Sequence, residues 1–325
     1  KPLGRLSGLL AIAMLVGGLC VLVLDLGRPD RLIVAMTHYN FKSIFAWNIF
    51  LYVGFLVIVA AYLWLQMERR MNRYAGAAGM LAFLWRLVLT TGTGCIFGFL
   101  VSREAYDSAV MAPLFIAMSF SFGLAVYILV LLASYHSTGR EIGDVVIRKL
   151  GRLLGIFAAA VIYFTAIQHL ANLYAAEHGG VERFILLDGG IYTWLFWLGQ
   201  VFIGGILPML LVFKPGKKDK SLSARTVSLA SALVILGGFA QIYVIVIGGQ
   251  AYPLNLFPGM EVTSSFNDGA IASYAPSLPE VGLGLGGVAF TGLLLLVGLK
   301  ALRFLPESLA DAAIDPHHSI RAESV

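Results

Sequence analysis

The chain has 325 residues, of which 59% are apolar and only 13% charged, and its mean hydropathy is +0.85. Soluble domains run about 45–50% apolar and about 25% charged, so an ordinary soluble enzyme, a nucleic-acid binder and a disordered tail are all excluded. The formal net charge of +5 then reads as cationic loops on one face of a membrane rather than as a nucleic-acid footprint.

Uninterrupted apolar runs predict eight spanning helices at about 3–26, 43–65, 75–100, 108–135, 152–175, 191–213, 225–250 and 280–305. Each is long enough to cross ~30 Å of hydrocarbon at ~1.5 Å per residue. The runs lack the alternating polarity of a membrane β-barrel, so the expected fold class is an all-α integral membrane bundle, a single domain over 1–325. No fixed-period repeat and no mirrored halves are present, which argues against a transporter built on repeats. Cys20 and Cys95 both lie inside apolar runs and no C-x-x-C-H stretch occurs. No disulfide framework, iron–sulfur cluster or covalent haem is therefore expected within this chain. The first residue is Lys1 and the apolar run begins at once, so no signal peptide is visible and the sequence reads as lacking its natural start.

Charge sets the expected orientation. The face that holds both termini and the connections 66–74, 136–151 and 214–224 carries 17 of the 23 Lys and Arg. The opposite face carries five (Arg28, Arg31, Lys42, Arg103 and Arg183), while Arg86 lies within a span. Both termini are expected in the cytoplasm, with 306–325 a cytoplasmic tail and the outer face acidic. The longest outer connection, 251–279, holds no Lys or Arg and is too aromatic for a solvated tether, so it is expected to cap the outer helix ends. Ser277-Leu278-Pro279-Glu280 reads as a capping box opening the last helix, with Pro279 in the first turn. Glu280 is then either this cap or a functional carboxylate.

Polar residues inside spans cost a few kcal/mol each and are site candidates. Arg86 lies 11 residues into its span, ~16 Å deep and near the midplane. It could line a proton path together with Ser119, Ser121, Gln200 and Gln241, or hold a helix junction. His169 lies one to two turns below the outer face, preceded by Gln168 and followed by Asn172 and Tyr174. A lone helical histidine is often only an interhelical contact. In the run Leu24-Asp25-Leu26-Gly27-Arg28-Pro29-Asp30-Arg31, Gly27 is expected to end the first helix in the left-handed conformation and Pro29 to prevent its continuation. Asp25 and Arg28 are thereby held at the outer interface, either as a ligand-binding pair or as a helix stop with an interfacial ion pair. His38, Tyr39, Asn40, Trp47 and Asn48 return to the same level, and Glu104 and Asp107 occupy the next outer connection. This set supplies donors, histidines and carboxylates beside lipid-accessible helices, which is what a quinone headgroup needs to exchange two protons. Haem b needs two facing axial ligands, and only His169 sits well inside a span.

The residues Lys1-Pro2-Leu3-Gly4-Arg5, the Asp25-Leu26-Gly27-Arg28-Pro29 run, His38-Tyr39-Asn40-Phe41 and Ala46-Trp47-Asn48 resemble the NrfD/polysulfide reductase membrane-subunit family over nearly the whole chain. Pro276 to Glu280 resembles its HybB/DsrP-type branch. Tyr252-Pro253-Leu254, Phe257-Pro258-Gly259 and Ser264-Ser265-Phe266 resemble, more narrowly, the DsrP-like subunits of DsrMKJOP sulfur-metabolism complexes. The resemblance implies a quinone-reactive subunit (menaquinone or ubiquinone) of a bacterial or archaeal inner membrane, without a redox cofactor of its own. It implies docking of a periplasmic four-cluster iron–sulfur subunit on the outer face, and further membrane and cytochrome subunits. It places Asp25, Arg28 and His38 in the motif region. Members of that branch usually carry ten spans, so two helices before Lys1 are expected in addition.

Two readings follow. In the first, electrons pass between membrane quinone and the iron–sulfur partner. Asp25, His169 and Glu104 exchange protons, Arg28, His38, Tyr39, Trp47, Asn48 and Gln168 hold the quinone, and Arg86, Gln241 and Glu280 line a proton path. No metal site is expected. In the second, the protein is a non-catalytic anchor that docks its partners through the acidic outer loops.

Overall fold

The computed structural model describes residues 2–213, 222–254, 269–302 and 305–311. Residues 255–268 of the connection expected to cap the helix ends, residues 312–325 of the tail, Lys1, Lys214, Lys217, Lys218, Lys220 and Arg303 lie outside the described residues.

In order along the sequence the helices are α1 (Pro2–Asp25), α2 (Leu32–Thr37), α3 (Ile44–Met67), α4 (Ala75–Gly98), α5 (Met111–Ser137), α6 (Asp144–Tyr174), α7 (Gly179–Arg183), α8 (Ile191–Phe213), α9 (Ala224–Ala251) and α10 (Leu278–Leu302). Among the described residues eight helices are long and apolar enough to cross a membrane, and the protein is an integral multi-pass membrane protein. Residues 195–206 of α8, 244–248 of α9 and the turn 184–188 after α7 are π-helical. Such segments widen a helix by one residue and cluster at functional sites.

Three local results sharpen the sequence expectations. The last helix opens with a reciprocal capping box, Ser277 N–H donating to Glu280 Oε2 at 2.6 Å and Glu280 N–H donating to Ser277 Oγ at 3.4 Å. Gly27 does not take the left-handed conformation, because the positive-φ glycines among the described residues are Gly139 and Gly190. Instead α1 ends at Asp25, Arg28 is extended (φ −141°, ψ 80°), and Pro29 begins a short 3-10 turn that leads into α2. Proline with its preset φ starts the new helix, so no glycine cap is needed to stop the old one. Third, α6 begins at Asp144 rather than near 152. Its first turn is capped from far away: Gly143 N–H donates to Leu309 O at 2.8 Å and Val145 N–H to Asp311 Oδ1 at 3.1 Å. Partners supplied from so far along the sequence leave no local mark at 144.

The helices cluster into two compact units, residues 1–96 with 275–306, and residues 97–274 with 307–325. In the first unit α1 lies between α3 and α10, and glycines admit the close contacts: Gly8 faces Leu63 and Gly17 faces Thr291. Trp85 of α4 fits over Gly54 of α3 and its indole N–H donates to Leu51 O at 2.9 Å. In the second unit α5, α6, α8 and α9 close a ring, each packed on the next. Among the described residues it holds apolar core layers. One is built on Met111, Leu114, Phe184, Phe196 and Val244, and another on Ile128, Leu154, Val227 and Val234. A polar layer of Thr165, Gln200 and Gln241 lies in the same bundle.

Where α8 meets α9 the backbones touch, and a Cβ on Gly204 would stand 2.6 Å from Gly237 Cα. Neither backbone can yield cheaply, so Gly204→Val is expected to destabilise the second unit by about 1–3 kcal/mol or more. A thermal melt of the purified protein in detergent measures this against Gly282→Val, where a Cβ meets nothing within 4 Å.

Candidate functional site

The second unit is organised around a carboxylate. Glu182 is fully buried in the short helix α7, which together with the turn after it is pinned to the bundle by Val181, Phe184 and Ile185. Its Oε2 shares a 2.7 Å hydrogen bond with His169 Nδ1, and its Oε1 accepts from Asn172 Nδ2 at 2.8 Å. His169 and Asn172 lie one turn apart near the end of α6, so one helix face presents both partners. The ring of His169 also meets Phe196 of α8 edge-on at 4.7 Å, which fixes its tilt. With Nδ1 taken by the carboxylate, Nε2 is the nitrogen left for a ligand, and it has no protein partner among the described residues.

One turn below His169, Thr165 Oγ1 accepts from the side-chain amides of both Gln200 (α8) and Gln241 (α9), each at 3.2 Å. Thr165, His169, Gln200 and Gln241 form a wall with space on both sides. On one side is a cavity of about 390 Å³ whose remaining lining is almost wholly apolar, with Phe122, Ile162, Leu170, Phe196 and Trp197 prominent. On the other is a chamber of about 40 Å³ bounded by Gln168, Glu182, Ala105 and Gly249. Gln168 Oε1 accepts from Ser108 Oγ at 2.8 Å, whereas its Nε2 is buried without a protein partner. All three π-helical segments contribute to these walls through Ile185, Gln200 and Val244.

The chamber is closed over by the connection 99–110. His178 Nδ1 donates to Glu104 O at 2.7 Å, Arg103 to Gln250 O at 3.1 Å and Tyr106 OH to Val246 O at 3.0 Å. Burial pushes the Tyr106 phenol up to about 12, against the opposing pull of Arg103 and the Gln250 hydrogen bond. The Tyr252 phenol is also raised, first by burial and then by the Glu104 carboxylate.

Of the residues singled out in the sequence, His169, Gln168 and Gln241 come together here, and Glu104 contributes its backbone carbonyl to the closure. Asn172 and Gln200 join them and Ser121 lines the larger cavity, while Asp107, Ser119 and Tyr174 lie elsewhere in the same unit. Asp25, Arg28, His38, Tyr39, Asn40, Trp47, Asn48, Arg86 and Glu280 belong to the first unit. Asp25 ends α1 and Arg28 follows it, both exposed, and they form no ion pair with each other. His38 Nδ1 lies 3.1 Å from Thr37 Oγ1. Tyr39, Phe41, Trp47 and Phe50 form an aromatic cluster, in which the Trp47 indole donates to Phe41 O at 2.9 Å. Asn48 is buried on α3 with its Oδ1 unpartnered, and a Cβ on Gly92 of α4 would stand 3.0 Å from that oxygen. Arg86 stands over the Phe55 ring at 5.5 Å. Glu280 serves the capping box. Among the described residues no group of three or more His, Cys, Asp or Glu is placed to hold a metal ion.

Glu182 is absent from the sequence-derived candidates. The available signal is the spacing of Val181, Phe184 and Ile185, which marks a docked helical turn rather than a solvated loop and leaves the neighbouring carboxylate little choice but burial.

A family model described as "Polysulphide reductase, NrfD" matches residues 1–253. An Hdr-like menaquinol oxidoreductase integral membrane subunit from Archaeoglobus fulgidus is 30% identical over 317 residues, covering 97% of this chain and 79% of that protein. The menaquinone reductase integral membrane subunit of Nitratidesulfovibrio vulgaris is 24% identical, over 93% of this sequence and 76% of its own length. The C polypeptide of polysulfide reductase from Wolinella succinogenes is 26% identical, over 76% and 82%.

Two outcomes follow from this geometry. Asn172→Ala removes one of the two donors to a buried carboxylate and is expected to cost about 1.5–3 kcal/mol, read as a lower unfolding temperature in detergent. Tyr106 ionises near pH 10 when unfolded and near 12 when folded. The stability it confers, about 2–3 kcal/mol, is complete below about pH 10 and is lost as pH rises toward 12. Melting temperatures across that range are expected to fall more steeply for the native protein than for Tyr106→Phe.

Proposed function

The chain belongs to the polysulphide reductase NrfD family, and from that premise we propose that it is the quinone-reactive membrane subunit of a multisubunit oxidoreductase. The observation that carries this reading is the cavity of about 390 Å³ in the second unit, whose lining is apolar apart from Ser121 and one hydrogen-bonding wall of Thr165, His169, Gln200 and Gln241. A quinone is an apolar molecule with hydrogen-bonding carbonyls at one end. Pockets of some 300–1,000 Å³ with a few convergent polar groups are the usual receptors for such ligands. His169 meets a quinone carbonyl or quinol hydroxyl, the two amides orient the ring, and the aromatic and aliphatic lining excludes water. Oxidation of a quinol releases two electrons and two protons, and His169 is placed to exchange the protons.

The electrons pass to or from a partner subunit with one-electron carriers, which we take to be a periplasmic iron–sulfur subunit docked on the acidic outer face. The names of the Archaeoglobus and Nitratidesulfovibrio relatives favour menaquinone over ubiquinone. The lysine and arginine distribution favours an inner-membrane protein with both described ends in the cytoplasm. The exposed segment with Asp25, Arg28 and His38 is proposed as a second contact surface for the quinone or the partner.

The test is quinol-dependent reduction of the redox partner in the intact complex. His169→Ala is expected to lower the rate by about 10²-fold or more with assembly retained. Selective loss in Asp25→Asn instead would move the headgroup to the segment after α1, and normal rates in both variants would leave the protein a non-catalytic anchor.

A further inference from the structure

We propose that Glu182, acting through His169, is the proton-relay partner of this site, and that the chamber behind the two residues holds the water that carries the proton onward. The inference rests on the quinone reading of the adjoining cavity. Three observations support it independently of any comparison. First, a carboxylate with no exposed surface is linked to the histidine of the cavity wall by a 2.7 Å hydrogen bond, and the same histidine borders both spaces. A mere helix-to-helix tie would not need an ionisable pair, which is costly to bury. Second, the Gln168 side-chain amide ends in the chamber's wall with its Nε2 buried and unpartnered, and a buried donor of that kind calls for an acceptor. Third, about 40 Å³ is room for roughly two or three waters, and the Glu182 carboxylate and three glutamine side chains supply the polar partners such waters require. Among the described residues, His169 and Glu182 are the ionisable groups lining the chamber.

The relay balances simply. As the quinol gives one electron to the one-electron carrier of the partner subunit, its O–H bond breaks and a proton bonds to His169 Nε2. The Nδ1 proton passes along the 2.7 Å hydrogen bond to Glu182 Oε2. Glu182 then releases it to chamber water, leaving His169 with its proton on Nε2, and the imidazole must return to the Nδ1–H tautomer before the pair takes the second proton with the second electron. Quinone reduction runs the same steps backwards. Because Nδ1 and Nε2 are separate nitrogens of one ring, one histidine can meet the cavity through Nε2 and the carboxylate through Nδ1. Asn172 keeps hold of Oε1 throughout, so Glu182 stays in place whichever oxygen carries the proton.

The experiment uses the intact complex and a photoreactive quinone analogue. Labelling of Phe196 or Trp197 is expected in the wild type and in Glu182→Gln. In the latter, kcat is expected to fall about 10²-fold or more while KM for quinol changes less than about threefold. Glu182→Asp should recover about tenfold of the loss. The redox-difference infrared spectrum of the wild type should show a carboxylic-acid carbonyl band that is absent from Glu182→Gln. If that variant fails to assemble, Gln168→Leu carries the same test, with labelling kept and kcat reduced about tenfold. Normal kcat in an assembled, labelled variant, or an infrared band that persists without Glu182, overturns the relay and leaves the cavity reading standing. Absence of label from the cavity in the wild type overturns the cavity reading and the relay with it.

Discussion

A carboxylate with no exposed surface at the end of an apolar bundle survives only where donors are built for it, and in this protein the donors are His169 and Asn172. That requirement orders much of the second unit. It brings α7 down onto the end of α6, fixes the His169 ring against Phe196, and thereby sets the wall between the apolar cavity and the smaller chamber that Glu182 lines. Truncating any one of the three would strand a buried polar group, so they act as a unit rather than as separate contacts.

The same economy appears one turn lower. Thr165 accepts from two glutamines on two different helices, so α6, α8 and α9 are tied at a polar layer inside an otherwise apolar ring. Interhelical hydrogen bonds of this kind contribute modestly in a membrane, on the order of 1 kcal/mol each. Their value here is register, because they set which faces of α8 and α9 border the cavity. The π-helical segments of α8 and α9 and the backbone contact between Gly204 and Gly237 belong to that arrangement.

Much of this is legible in the sequence. His169, Gln168 and Gln241 stand out because polar residues are rare in spans, and the Ser277–Glu280 box follows from residue types alone. Glu182 is hidden because a carboxylate in an extramembrane connection is normally solvated, and only docking of Val181, Phe184 and Ile185 buries it. The start of α6 escapes a local reading for a similar reason: Leu309 and Asp311 cap it from the other end of the sequence. The stop after Asp25 falls where the sequence places it but by different means, since Pro29 opens a new helix without a left-handed Gly27.

The sequence by itself determined the solvent in which this protein lives, the eight spanning helices found among the described residues, and the uneven distribution of its lysines and arginines. These depend on runs of residues and on sums, which need no knowledge of neighbours. Only the tertiary structure decided which polar residues act together. Glu182, His169 and Asn172 on one side, and Thr165, Gln200 and Gln241 on the other, are joined across as many as 76 residues. Hydrogen bonds between helices are set by packing register rather than by local propensity. The wall between the apolar cavity and the smaller chamber beside Glu182 exists only once that register is in place.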